Sequence, residues 1–174
     1  MVRYNFNMTL RVIAALLLAG AAVTAVPADP DDKPVTYLPN AENSKIVTVT
    51  PNGQPAARVI VQTQGIAIKE NGPRETVAKY GEVYAFAPAT IVVHRDQPTQ
   101  LEFWNLQPDD DHDFMLMDSH WSVMMKVLLP ALQKTSYIFT FHQEGLFTFM
   151  CAMHQPAMSG QILVLPPVDA ARPR

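Results

Sequence analysis

Hydrophobic and polar positions alternate in short runs along most of the chain beyond residue 45. In residues 45–50, Val47 and Val49 alternate with Ile46, Thr48 and Thr50. That is the two-residue period of a strand with one buried face. Residues 57–68 are rich in β-branched side chains, and the same reading predicts strands over 82–87, 90–94, 99–105, 113–117, 136–142, 146–151 and 160–165. Tyr137, Phe139 and Phe141 share one strand face, while Leu146, Thr148 and Met150 alternate with Phe147, Phe149 and Cys151. Turn chemistry punctuates these runs at Pro51-Asn52-Gly53 and again at Asn71-Gly72-Pro73, within residues 69–80. Many short strands separated by Pro, Gly or Asp predict a sandwich or barrel. Residues 122–132 break the pattern. Val123, Lys126, Val127 and Leu128 do not alternate cleanly, and a short helical turn ending near Pro130 is expected there.

Composition agrees with a β-rich domain. The chain has 174 residues, 48% of them hydrophobic, with 15 prolines against 7 glycines. This suits one domain with a real core, plus processing segments. Arg3 and Arg11 precede an apolar run over residues 12–26, and small residues offer cleavage after Ala25 or Ala28. The run is about 15 residues, short of the ~20 that span a bilayer. Residues 1–25 are therefore expected to be a signal peptide. Residues 26–44, rich in Pro, Asp and Asn, are expected to be a flexible arm or linker, 45–168 the folded domain and 169–174 a C-terminal tail. The protein is expected to be periplasmic or otherwise exported, without a membrane span after cleavage; a retained run would leave it membrane-anchored. The formal charge of −3 becomes −5 once Arg3 and Arg11 are removed. That balance argues against a nucleic-acid partner and suits solubility or a basic partner.

Cys151 is the single cysteine. Exported domains use paired cysteines as staples, which one thiol cannot do within a chain. A lone Cys is often a small core hydrophobe, but the sequence around this one carries other donors. It reads Phe149-Met150-Cys151-Ala152-Met153-His154-Gln155-Pro156-Ala157-Met158-Ser159-Gly160. His112 lies upstream, at the start of a predicted strand and after an Asp-rich loop. A soft thiolate, two imidazoles and a thioether suit copper in both oxidation states. Zinc accepts Cys and His too, but structural zinc sites use more of them. A catalytic Cys–His pair is a third option, for which no orienting group or cleft is evident near Cys151.

The segment from about Tyr84 to Pro166 resembles the cupredoxin family, in particular the copper domains of cytochrome oxidase subunit II and nitrous-oxide reductase. Residues 86–93, Phe-Ala-Pro-Ala-Thr-Ile-Val-Val, resemble that family's first core strand, and residues 101–105 the next, with Asn105 entering the loop before the first ligand. His112-Asp113-Phe114 is similar to its first histidine and following strand; Phe141, Gly145 and Phe149 to the approach to the ligand loop; and residues 158–164 to the exit strand. The resemblance implies an all-β Greek-key sandwich and copper-based electron transfer. It implies His112, Cys151, His154 and Met158 as ligands of one mononuclear Cu(I)/Cu(II) ion. A dinuclear centre would need a second cysteine where Phe147 stands, and Gln155 occupies the histidine position of those relatives. The short Cys-to-His interval resembles plastocyanin and pseudoazurin instead, with the interval to Met158 one residue shorter than theirs.

Three roles follow as expectations. The first is a non-enzymatic electron carrier between redox partner proteins. The second is a chaperone or storage module that handles Cu(I) with copper donor and acceptor proteins. The third is an interaction module that has lost its metal, against which the intact Cys and His residues speak. A cluster of His120, Trp121, Met124 and Met125 would suit a second Cu(I) site, although methionines commonly only fill cores. Residues 109–111 and Asp113 are read mainly as a solvated acidic loop, and His94 and His142 as strand-end residues without metal.

Overall fold

The structure, a computed structural model, describes residues 35–168. The expected signal peptide, the first part of the arm and the tail lie outside the described residues. In chain order the elements are a 3-10 turn (Asn43–Lys45), β1 (Val47–Thr50), β2 (Ala57–Ala67), α1 (Arg74–Tyr80), β3 (Val83–Ala87), β4 (Thr90–His94), β5 (Thr99–Asn105), β6 (His112–Met117), β7 (Val123–Leu129), β8 (Lys134–Phe141), β9 (Gly145–Met150) and β10 (Ser159–Leu165). They form two five-stranded sheets, ordered β1-β8-β5-β2-β3 and β4-β10-β9-β6-β7. Each sheet holds one parallel pair, β2 with β5 and β4 with β10; the other pairs are antiparallel. This is the all-β sandwich that the resemblance implies, and one of the two architectures, sandwich or barrel, that the alternation left open.

The two inner faces meet in an aromatic core. Phe103 and Phe139 from one sheet pack on Phe114 of the other, with centroids 4.7 and 5.9 Å apart. Phe149 lies 5.0 Å from Phe114 and 5.3 Å from Phe86. Removing each such ring from water contributes roughly 1.5–3 kcal/mol, with a further increment from edge-to-face geometry. Gly160, the second residue of β10, has no room for a side chain: a Cβ there would stand 2.3 Å from the Ala89 carbonyl and from the Phe149 ring. The strand leaving the Cys-His-Met loop is thereby pressed flat onto its neighbours.

One local reading needs revision, and two further segments gain detail. Residues 122–132 contain strand β7, not a helical turn. Leu116 pairs with Met125 but Met117 pairs with Val123, so Met124 is an extra, bulged residue. The bulge puts Met124 and Met125 both in buried positions and breaks the two-residue period that would have disclosed the strand. Within residues 69–80, the segment after the turn is the helix α1. Its entry at Pro73 and its stop at Gly81 (φ 76°), whose N–H bonds the Val77 carbonyl, are ordinary helix punctuation. Finally, the described part of the arm is docked. Tyr37 exchanges both backbone hydrogen bonds with Lys126, at 2.8 and 2.9 Å, covering the β7 edge.

Candidate metal centre

His112 is delivered by a loop hung on one buried side chain. Asn105, at the end of β5, accepts hydrogen bonds at Oδ1 from Thr63 Oγ1 (2.8 Å) and the Gln107 N–H (3.0 Å). Its Nδ2 donates to the carbonyls of Asp110 (2.8 Å) and Leu129 (2.9 Å). Its side-chain amide is therefore fully used, with two of these four bonds holding the loop of residues 106–111 and two tying it to β2 and β7. The acidic loop is only partly the solvated segment expected. Asp111 Oδ1 accepts the Ala131 N–H at 2.9 Å, and Asp110 accepts the Tyr84 hydroxyl proton. These ties place His112 at the first position of β6 with its side chain on the buried face.

Cys151 stands one residue past β9, fully buried. The chain then makes a tight loop closed on itself. The Cys151 N–H donates to the Met158 carbonyl (2.9 Å) and the Met158 N–H to the His154 carbonyl (3.0 Å). The loop is also pinned to β6: the Asp113 N–H points at Cys151 Sγ (3.5 Å), and Asp113 Oδ1 accepts the Ala152 N–H (2.7 Å).

Of the four residues expected at the site, three side chains converge. His112 Nδ1 lies 3.1 Å from His154 Nδ1 and 4.0 Å from Cys151 Sγ, and His154 Nδ1 lies 3.5 Å from that sulfur. A triangle with these sides has a circumscribed radius of about 2.1 Å. One point is therefore at metal–nitrogen or metal–sulfur bonding distance from all three atoms. Met158 is fully buried at the far end of the loop, with its backbone bonded to both Cys151 and His154. Among the described residues, no fourth His, Cys or carboxylate joins the cluster.

The electrostatics suit a cation there. Burial depresses the His112 pKa to about 4, with the nearby His154 adding to the effect. Burial also lowers His154, so both imidazoles are neutral donors at pH 7. The Cys151 thiol is pushed up by burial, against which the Asp113 N–H works. A bound cation reverses that last preference, because a coordinating thiol gives up its proton.

Sequence reasoning left out Tyr84 as a site residue. Its ring packs against both imidazoles, with centroids 4.8 Å from His112 and 4.6 Å from His154. It is itself buried, and its hydroxyl is held by Asp110. Burial, then the Asp110 carboxylate, raises its pKa. Nothing in the strand pattern sets Tyr84 apart from other inward-facing aromatic residues. The second cluster does not assemble as a site: Met124 and Met125 belong to the core, while Trp121 is exposed on the turn before β7. Beside His154 lies a groove lined by Thr76, Tyr80, Glu82, Met153 and Pro156.

No family model and no curated protein matches the chain by sequence. Solved structures do match by shape. Auracyanin B superposes with a TM-score of 0.51 at 16% identity, over 70% of this chain and 99% of that one. Auracyanin A, described as a "blue" copper protein from the green thermophilic photosynthetic bacterium Chloroflexus aurantiacus, gives 0.46 at 16% identity, over 64% of this chain and 100% of that one. A multicopper oxidase gives 0.48 at 12% identity, over 65% of this chain and 45% of that one. The chain thus has the cupredoxin fold, on the strength of the first of these.

Proposed function

We propose that this protein is an exported mononuclear copper protein that passes single electrons between protein partners. The observation that carries the reading is the convergence of His112 Nδ1, His154 Nδ1 and Cys151 Sγ on one buried point at bonding distance from each. Two imidazoles and a thiolate in one plane, with a thioether available as a weak further donor, are a donor set for copper. His112, Cys151 and His154 would hold the ion, and we assign Met158 as the fourth, weaker ligand. The copper would supply a one-electron couple. Zinc is the poorer fit, because structural zinc sites are closed by four strong ligands.

The surrounding residues suit transfer better than turnover. Tyr84 and the buried wall around His112 keep water from that side. His154 is only partly buried and borders the groove, where Tyr80 and Met153 are exposed. A redox partner seated there would come close to the His154 imidazole without entering the centre. No substrate cleft is needed for such a role, and we read the protein as a carrier and not an enzyme. The Cu(I)-handling alternative has lost its best support, since Met124 and Met125 are core residues.

The test is to add Cu(II) to the purified exported form, record the visible spectrum and run voltammetry. An intense thiolate-to-copper band with a reversible couple is expected. Tight Cu(I) binding without that band would favour copper handling over electron transfer.

A further inference from the structure

Taking the centre as a copper site, we infer that Lys126, acting through the buried carboxylate of Asp113, sets its reduction potential. Asp113 follows His112 directly and is completely buried. Its backbone N–H points at Cys151 Sγ, and its Oδ1 takes the Ala152 N–H. Its Oδ2 has no hydrogen-bond partner of the ordinary angular kind. The cation that faces it is Lys126 Nζ, 3.0 Å away on a side chain only 21% exposed. A neutral amide oxygen would still accept the Ala152 N–H, though more weakly than a carboxylate. The negative charge is thus not required to hold the loop. A lone buried charge is costly, and here a second strand supplies its counter-charge.

The pairing of strands explains the meeting. Asp113 lies opposite Leu128 in the β6–β7 register, and Lys126 is two residues away along β7, on the same face. Tyr37 holds the Lys126 backbone from the other side through its two hydrogen bonds. Lys126 touches none of the expected ligands. It is a positioning and charge-balancing residue that works through Asp113.

The sign is set by elementary electrostatics. Oxidation leaves the copper–thiolate unit one charge more positive. Asp113 favours that state and lowers the potential, and Lys126 offsets it. Voltammetry of the copper-loaded protein should show Asp113→Asn shifting the midpoint upward and Lys126→Gln shifting it downward. Each change should alter the ratio of Cu(I) to Cu(II) affinity by about tenfold, which is about 59 mV for a one-electron couple. The double variant should return close to wild type, and Lys126→Arg should leave the midpoint in place. Thermal melting of the metal-free proteins gives a second readout: Lys126→Gln should melt below the double variant, because it alone buries an unpaired carboxylate. If Lys126→Gln does not fold, Asp113→Asn and Lys126→Arg carry the test. Unmoved midpoints, or shifts of the same sign, in proteins that keep the thiolate–copper band overturn this inference alone. A wild-type protein without that band overturns the copper reading and this inference with it.

Discussion

Four of the five histidines of the chain form two pairs at the two ends of the sandwich, and the two pairs are satisfied in different ways. His112 begins β6, and His154 follows the end of β9, which is antiparallel to β6. His94 ends β4, which runs opposite to β9, and His142 follows the last residue of β8. At this second end each ring already has protein partners. His94 Nδ1 meets the Pro166 carbonyl at 2.6 Å; His142 lies between Asp96 (2.9 Å) and Thr48 (3.2 Å). At the first end the Nδ1 atoms face each other and a sulfur, with no carboxylate or carbonyl between them. A histidine becomes a candidate ligand when folding buries it and leaves its lone pair aimed at other unspent donors. Presence at a strand end is not enough.

The largest expected effect comes from removing the sulfur that distinguishes the first end. Cys151→Ser should abolish the intense visible band outright; a copper protein of unchanged colour would refute the ligand assignment. Next come the ligands that follow it. Met158→Ala is expected to weaken copper by no more than the roughly 10–100-fold that loss of an outer partner costs. His154→Ala should go well beyond that, and equal or reversed losses in a competition titration would contradict a weak role for Met158.

Acid should also act on the first end, through the metal-free protein. The folded pKa of His112 is about 4, against an ordinary 6.5. The unfolded chain therefore takes up the proton first. The stability in question is present above pH 6.5 and is lost as pH falls towards 4, by about 3 kcal/mol. His154 is shifted in the same direction. Denaturant unfolding at pH 7, 5.5 and 4 checks this, with His112→Gln expected to flatten the dependence. The smallest effect belongs to the second end. His142→Ala removes two surface hydrogen bonds, should cost at most about 1 kcal/mol, and should leave copper binding unchanged by titration.

Much of this architecture was written in short-range patterns. Strands β4 and β5 fall on the residues that the alternation picks out, and β2, β3, β6, β8, β9 and β10 differ by a residue or two at their ends. Side-chain period and turn residues act within a few positions, so they are visible without a fold. The interval from Cys151 to His154 to Met158 is equally local, and it confines the three residues to one loop. Tertiary structure alone decided what depends on distant neighbours. The bulge at Met124 is a property of β7 paired with β6, and α1 was hidden behind a turn signal. Tyr84 reaches two imidazoles only because β3 and the loops of the opposite sheet close over the same end. The meeting of Asp113 with Lys126 depends on register, which no spacing between residues 113 and 126 discloses. Local geometry follows from the chain's own period, whereas the partner of a buried charge or lone pair is chosen by packing between elements far apart in sequence.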